Sequence, residues 1–463
     1  MASVEQNEHE TYRVIVLDRA RAQVLLVPNG QHHILPGAEL PRWQRVAENL
    51  TITFKSEWRK EVVVLFELPA SNGGGPRYVA AEHLCTRRDS KMSALWVPLS
   101  ELGHNSLVDA HDREAIEQVF GICTGKIEGM TGGPFARLGW FCDLRNWIES
   151  VIEPMGFHLT GEFRQLNASP SFSLVRFGTD GPALWFKAVG EPNQREYAIT
   201  CTLAQLFPDY LSSILASRPD WNGWLSLEVR GKLLYEVQDQ LLWERAAASL
   251  AKLQIQSIGR ASQILGAGAH DVGPVALSKL IQPFMNVVAE LMERQTKVPP
   301  PILDRRDLLL LEDSLQSAIG AMEAIGLPET LGHLDLNPGN IILSEKCCAF
   351  LDWAEAYVGN PLFSLQYLLE HARRALGADS TVETSLTRAF CAQWDGGVSP
   401  AAIADALTLA PLLAVFAYAA GSDAWKQPQG LQEPDTAGYL RSLARRMHGE
   451  ASELAARRSL CLQ

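Results

Sequence analysis

The chain has 463 residues, too many for one ordinary core, so two or three structural units are expected. A hydrophobic fraction of 47% and a charged fraction of 20% are those of a globular protein and exclude a fibre, a disordered chain or a disulfide scaffold. Asp plus Glu outnumber Lys plus Arg by 53 to 41, and the formal charge of −12 argues against a nucleic-acid partner, since phosphate backbones are met by basic stripes.

The opening MASVEQNEHE has neither the basic nor the apolar region of a secretory signal. The longest apolar stretch, Ala406 to Ala420, is shorter than the ~20 residues of a membrane span, so a buried helix and no membrane partner are expected. Eight cysteines follow no metal or disulfide spacing, which points to reduced cysteines in a cytoplasmic protein.

In chain order, residues 1–120 read as a small mixed α/β domain. Its β-rich runs are Tyr12 to Leu17, Gln23 to Val27, Val62 to Leu68, Tyr78 to Leu84 and Leu95 to Leu99, with a helical stretch near Trp43 to Leu50. Residues 121–134, GICTGKIEGMTGGP, are glycine-rich and unpatterned and read as a linker. They are not a phosphate loop: the glycine spacing is one short, and Ile127 follows Lys126 where Ser or Thr is needed.

Residues 135–230 begin with an amphipathic helix, Phe135 to Ile152. Strand runs follow at Gly161 to Leu166, Ser173 to Phe177, Leu184 to Ala188 and Trp224 to Val229, with a helical segment from Gln194 to Leu206. Residues 231–463 are almost wholly helical in pattern. Leu280, Ile281, Phe284, Val287, Val288 and Leu291 recur at helical spacing before the proline stop Pro299 to Pro301, and another helix runs from about Arg305 to Ile325. The last helix, Tyr439 to Arg458, reads as a solvent-facing cap. The fold class is therefore α+β, with a small β-rich lobe followed by a large helical lobe, as in bilobal kinase-like proteins.

The chemistry is concentrated in Leu331 to Leu362, LGHLDLNPGNIILSEKCCAFLDWAEAYVGNPL. Phosphoryl transfer from ATP needs a carboxylate to orient the attacking hydroxyl, and hard oxygen ligands for the metal that neutralises the phosphates. Asp335 and Asn340 lie five positions apart across the Pro338-Gly339 turn. Ile341 to Leu343 and Cys347 to Leu351 are apolar runs joined by the polar turn Ser344 to Lys346. A hairpin of these runs returns Asp352 to Asn340 and makes a Mg²⁺ site.

His333-x-Asp335-x-x-x-x-Asn340, Leu351-Asp352-Trp353 and Gly359-x-Pro361-Leu362 together resemble the aminoglycoside phosphotransferase and choline kinase-like superfamily. The resemblance implies that Asp335 is the catalytic base, that His333 supports its loop, and that Asn340 and Asp352 hold Mg²⁺. It also implies an ATP lysine, matched by Lys187 in LWFKAV, and a partner glutamate, matched by Glu196, with Glu191 competing. Trp224 to Val229 matches the strand whose backbone, including that of Val229, meets adenine. The loop Leu166 to Ser173, with Ser169 and Ser171, would cover the phosphates.

Four positions depart from that pattern. Leu334 stands where glycine is usual and Asn337 where histidine is common, while Asn360 and Ser364 replace aspartates frequent in antibiotic-modifying members. An acceptor other than an aminoglycoside is therefore expected, met by residues 254–305 and by C-terminal positions including Trp394, Asp395 and Trp425.

Residues 1–120 also look similar to a Nudix-type domain, through strand order and the tail Trp96-Val-Pro-Leu-Ser-Glu-Leu102. That hydrolase needs several glutamates on one helix, and RWQRVAENLT offers only Glu48. A degenerate domain for substrate selection, docking or a homodimer is expected. For the whole chain the expected activity is phosphorylation of a hydroxyl on a small molecule, with ATP and Mg²⁺ as cofactors. The competing readings are a protein kinase or nucleotidyl transferase using the same residues, and a catalytically idle kinase-like module that binds nucleotide or a partner.

Overall fold

The structure is a computed structural model and describes residues 9–20, 22–42, 44–69, 76–84, 94–102, 109–126, 133–345, 347–377, 380–394, 397–422 and 424–461. The chain packs as two compact units: residues 1–197 with 213–228, and residues 198–212 with 229–463.

In the first unit the described residues form a seven-stranded mixed sheet from β1 (His9–Asp18), β2 (Gln23–Asn29), β3 (His32–Ile34), β4 (Gly37–Pro41), β5 (Val62–Glu67), β6 (Arg77–His83) and β7 (Leu95–Pro98). The path runs β3-β2-β1-β6-β5, with β4 on β1 and β7 on β2, and β1 lies parallel to β6. Tyr12, Val14 and Val16 of β1 enter one apolar cluster, and Ile15 and Leu17 enter another. Both faces are therefore covered, which is why the strand reads as a continuous apolar run rather than an alternating one. One face carries α1 (Val46–Ser56), and α2 (Ala110–Cys123) packs into the opposite cluster.

Helix α1 runs further than the sequence pattern indicates. Thr51, Ile52 and Thr53 have β-branched side chains, yet Ala47, Leu50 and Phe54 bury one face at i, i+3, i+7, and that burial overrides local propensity. Trp43, placed on this helix by the sequence, lies outside the described residues, as do 127–132 of the expected linker. Gly121 to Cys123 of that linker form the last turn of α2.

The same unit contains α3 (Trp140–Ile152) and an antiparallel five-stranded sheet, ordered β11-β12-β10-β9-β8, of β8 (Leu159–Ala168), β9 (Ser173–Thr179), β10 (Leu184–Ala188), β11 (Ile214–Arg218) and β12 (Gly223–Leu227). The helix starts five residues later than its amphipathic pattern suggests. Gly139 has φ +87°, and its N–H donates to the buried carboxylate of Glu82 at 2.7 Å, so the chain turns there before the helix begins. Helix α4 (Glu196–Leu206) follows β10.

The second unit is mainly helical: α5 (Gln240–Ser257), α6 (Ala261–Gly266), α7 (Pro274–Glu293), α8 (Arg305–Ile325), α9 (Leu362–Leu376), α10 (Ser380–Cys391), α11 (Pro400–Gly421) and α12 (Pro434–Cys461). Among its described residues are two small sheets. One is β13 (Lys232–Leu233), β16 (Ile341–Leu343) and β17 (Cys348–Phe350); the other is β14 (His270–Val272), β18 (Ala356–Gly359) and β15 (Thr330–His333).

Helix α8 has the limits its sequence signals set. Asp304 and Asp307 form a reciprocal capping box at its start, and Gly326 at φ +70° ends it. Both α7 and α11 are long and apolar enough to cross a membrane, but each contributes many side chains to this unit's core, Phe284 and Phe416 edge to face among them. Helix α12 corrects the expectation of a solvent-facing cap. Leu440, Leu443, Ala444, Met447, Ala451 and Leu454 bury a continuous stripe, while Arg446 and Arg457 are exposed.

One contact within the first unit ties its two sheets together. Gln165 of β8 is fully buried; its Nε2 donates to Val64 O and its Oε1 accepts from Val64 N–H, both at 2.8 Å. Strand β5 is an edge strand in its sheet, and the amide satisfies backbone groups that the edge would leave open. Gln165→Leu leaves a buried N–H and C=O unpaired and is expected to cost about 2–4 kcal/mol, read as a lower denaturation midpoint.

Candidate active site

The two halves of the chemistry lie in different units. In the first, Lys187 is on β10, the central strand of its sheet, between Leu174 and Trp224 on the neighbouring strands. Its Nζ lies 2.5 Å from Glu196 Oε1 and 5.8 Å from the Trp224 ring centroid. Glu196 opens α4 and is 1% exposed, whereas Glu191 stands exposed in the preceding turn. The lysine therefore pairs with Glu196. Two charges held this far from water bring little net stability, which favours a functional reason for placing them there.

The turn between β8 and β9 is held from two sides. Ser169 N–H donates to Phe172 O at 2.9 Å, and its hydroxyl accepts from Phe172 N–H at 3.0 Å, so that hydroxyl is already engaged in the turn. Phe135 N–H donates to Pro170 O at 3.1 Å, and a Cβ on Gly133 would fall 2.2 Å from the same oxygen. Only glycine fits at that approach. Strand β12 stops at Leu227, although Glu228 N–H still reaches Ala183 O at 2.9 Å, and Val229 is the first residue of the second unit after that strand.

In the second unit the expected hairpin is present. Strands β16 and β17 pair antiparallel, Ile341 opposite Phe350 and Leu343 opposite Cys348. Leu351 N–H then donates to Asn340 O at 2.8 Å, which draws Asp352 to Asn340. Asp352 has φ +62° and ψ +61°, a left-handed conformation that costs energy in any residue with a side chain and recurs at functional sites. Asn340 Nδ2 donates to Asp335 O at 3.0 Å, so Oδ1 is the end of the amide left to act as a ligand.

His333 joins the two loops. It is fully buried, and its Nδ1 faces Asp335 N–H at 3.1 Å while Nε2 faces Leu351 O at 3.0 Å. The Asp335 amide can only donate, so Nδ1 must accept and Nε2 must carry the proton. Burial holds the imidazole pKa below its usual value and keeps the ring neutral, against the raising effect of the Leu351 bond and nearby carboxylates.

Asp335 is steadied by Tyr367 OH, 3.1 Å from Oδ1, and Asn337 Nδ2, 3.3 Å from Oδ2. Burial first, and then Asp335, pushes the Tyr367 phenol up, so it remains a neutral donor. The sequence alone does not single out Tyr367. Its helical row with Glu370 and Arg374, at i, i+3, i+7, is the signal that marks it in retrospect.

Two of the four departures, Asn360 and Ser364, serve the scaffold. Ser364 is fully buried and accepts from His333 N–H at 2.8 Å. Asn360 Oδ1 accepts from Leu362 N–H at 2.9 Å and caps the start of α9. Trp394 and Trp425 are core residues, 5% and 6% exposed, and Trp425 Nε1 donates to Ala420 O. Asp395 lies outside the described residues. A cavity of about 740 Å³ lies instead among α9, α11 and α12, with Leu334 and Tyr367 in its wall.

Residues 224–404 match the phosphotransferase enzyme family (APH), a span that includes His333, Asp335, Asn340 and Asp352. The family that this stretch is similar to is one of small-molecule phosphotransferases that act on hydroxyl groups. A comparison with curated proteins returned no match.

Among solved structures, the chain is similar to the macrolide 2'-phosphotransferase of Brachybacterium faecium, with 15% identity, 65% of this chain and 98% of that one covered, and a TM-score of 0.43. It is also similar to an ethanolamine kinase of Plasmodium vivax (14% identity, 75% and 96% covered, TM-score 0.47) and to a choline kinase of Streptococcus pneumoniae (13% identity, 66% and 99% covered, TM-score 0.44).

The His333 geometry predicts a stability effect with a definite sign. In the unfolded chain the ring takes a proton near pH 6.5, but the folded site resists it. The contribution is therefore complete above about pH 6.5 and is lost as pH falls toward the folded pKa. The urea midpoint should drop between pH 7.5 and 5.5 in the native chain, and drop less in His333→Gln.

Proposed function

We propose that the chain is an ATP- and Mg²⁺-dependent phosphotransferase that phosphorylates a hydroxyl group of a small molecule. The observation that carries this reading is the closed hairpin, which draws Asn340 and Asp352 together while Asn340 also binds the Asp335 backbone. Mg²⁺ suits this pair, because it is held by one or two protein oxygens and completes its shell with phosphates and water. When bound, it supplies charge neutralisation at the β- and γ-phosphate oxygens.

The roles of the remaining residues follow from their chemistry. Asp335, fixed by Tyr367 and Asn337, orients the acceptor hydroxyl and receives its proton as the oxygen–phosphorus bond forms and the bond to ADP breaks. Lys187, aligned by Glu196, offsets phosphate charge, and the backbone near Val229 offers hydrogen bonds to adenine. His333 acts through the loops, as a positioning residue.

For residues 1–120 the proposed role is that of a degenerate Nudix-like domain without hydrolase activity, serving selection, docking or a homodimer. In support, Glu48 is ion-paired with Arg164 at 2.5 Å, an arrangement suited to holding α1 against β8.

Mg-ATP turnover should fall at least ~10²-fold in Asp335→Ala, with Mg-ATP still bound. Equal turnover in both proteins would sink the mechanism. Asp352→Ala should weaken Mg-ATP binding in calorimetry but leave metal-free ATP binding unchanged, and identical Mg-ATP affinity would remove Asp352 from the metal site.

A further inference from the structure

The cavity among α9, α11 and α12 lies wholly within the second unit and shares a wall with the proposed base through Tyr367. At about 740 Å³ it falls in the range of ~300–1,000 Å³ usual for small-molecule sites. Its lining is charged, and the charges are distributed unevenly.

Glu383 and Arg373 cancel each other at 2.5 Å. Glu370, by contrast, is shared by two guanidiniums, Arg374 and Arg446, so the ion pairs at that carboxylate carry one positive charge in excess, and Arg446 also acts on Glu450. Further along α12, Glu450 and Glu453 are adjacent carboxylates, and Arg457 pairs with Glu453 at 3.5 Å, which leaves one negative charge in excess. Burial first, and then Glu453, raises the pKa of Glu450, against the lowering effects of Arg446, Arg373 and Arg457.

Arg374 and Arg446 are 65% and 43% exposed at the side chain, and ion pairs of that exposure are weak enough for a ligand to re-form them. Tyr367, Tyr418 and Tyr439 add aromatic faces to the wall, with Tyr439 OH donating to Tyr418 OH at 2.9 Å. An apolar ligand would strip water from these charged groups without replacing it. A polycation would be repelled by Arg374 and Arg446, and a neutral sugar would meet neither excess charge.

We propose that the acceptor is a small hydroxylated zwitterion, its anionic group held by Arg374 and Arg446, its cationic group by Glu450, and its hydroxyl directed to Asp335 past Tyr367. This rests on the phosphotransferase reading above and names the substrate class of that site.

The test is transfer of labelled phosphate from Mg-ATP by the full chain to matched acceptors. The zwitterions are serine, homoserine, 4-hydroxyproline and carnitine. Against homoserine stand 3-aminopropan-1-ol, which lacks the carboxylate, and 4-hydroxybutyrate, which lacks the amine. At least one zwitterion should be phosphorylated, and removing either charge from it should lower kcat/KM at least ~10-fold, the scale of one lost charge-assisted bond.

Arg446→Met should raise KM for the zwitterion at least ~10-fold and narrow its advantage over the amino alcohol, and Glu450→Gln should do the same against the hydroxy acid. Thermal unfolding of each variant establishes that it is folded. Rates as high for the singly charged acceptors, or a preference unchanged in both folded variants, would overturn the assignment. So would Asp335-dependent Mg-ATP hydrolysis with no zwitterion phosphorylated, and the phosphotransferase reading would then stand alone. A chain that neither binds nor hydrolyses Mg-ATP would overturn both.

Discussion

The site in the second unit depends on one buried imidazole. His333 accepts from the Asp335 amide through Nδ1 and donates to the Leu351 carbonyl through Nε2. The residue carrying the proposed base and the residue before the proposed metal ligand Asp352 are therefore fixed to the same ring. Neither loop can shift without breaking a bond at a fully buried polar atom, and that penalty of about 1–3 kcal/mol keeps the two loops in register. The Leu351 N–H to Asn340 O bond closes the same circuit from the strand side. Ser364 fixes the His333 backbone. The strained backbone at Asp352 persists because these contacts over-determine it.

A comparable economy governs the first unit. The turn between β8 and β9 is held at Pro170 by the segment that leads out of the seven-stranded sheet, and β8 itself is bonded to β5 through Gln165. The proposed phosphate-covering turn and the N-terminal sheet therefore form one packed body. A ligand or partner that moved β5 would act on β8 through a bonded amide rather than through a flexible tether, which gives the N-terminal domain a physical route to the turn.

Much of the second-unit site was legible in the sequence because it is local. Asp335, Asn340, the apolar runs and Asp352 lie within eighteen residues, and a short hairpin leaves few alternatives for where they meet. Lys187 and Glu196 were legible only through the family resemblance, which implies a strand lysine and a helix glutamate at that spacing. Tyr367 was not, since its role depends on α9 crossing back to the catalytic loop, a tertiary event with no local signature. The buried stripe of α12 was hidden by alanines and arginines that read as a polar helix, and the late start of α3 followed from a left-handed Gly139 that an amphipathic pattern conceals.

The family departures show why site chemistry has to be read with the packing in hand. Asn360 and Ser364 stand where acidic residues are common in antibiotic-modifying members of the family that the motif resembles, and from sequence they look like substrate determinants. In the structure one caps a helix and the other is sealed beneath the His333 backbone, so neither side chain is placed to read an acceptor. In the proposed reading, discrimination falls to α9 and α12, whose charged rows line the cavity beside Tyr367. Those rows lie outside the short motif. The proposed phosphotransfer loops can therefore stay nearly intact while the proposed acceptor site changes through charges on two helices, which costs the fold little because exposed ion pairs contribute little to it.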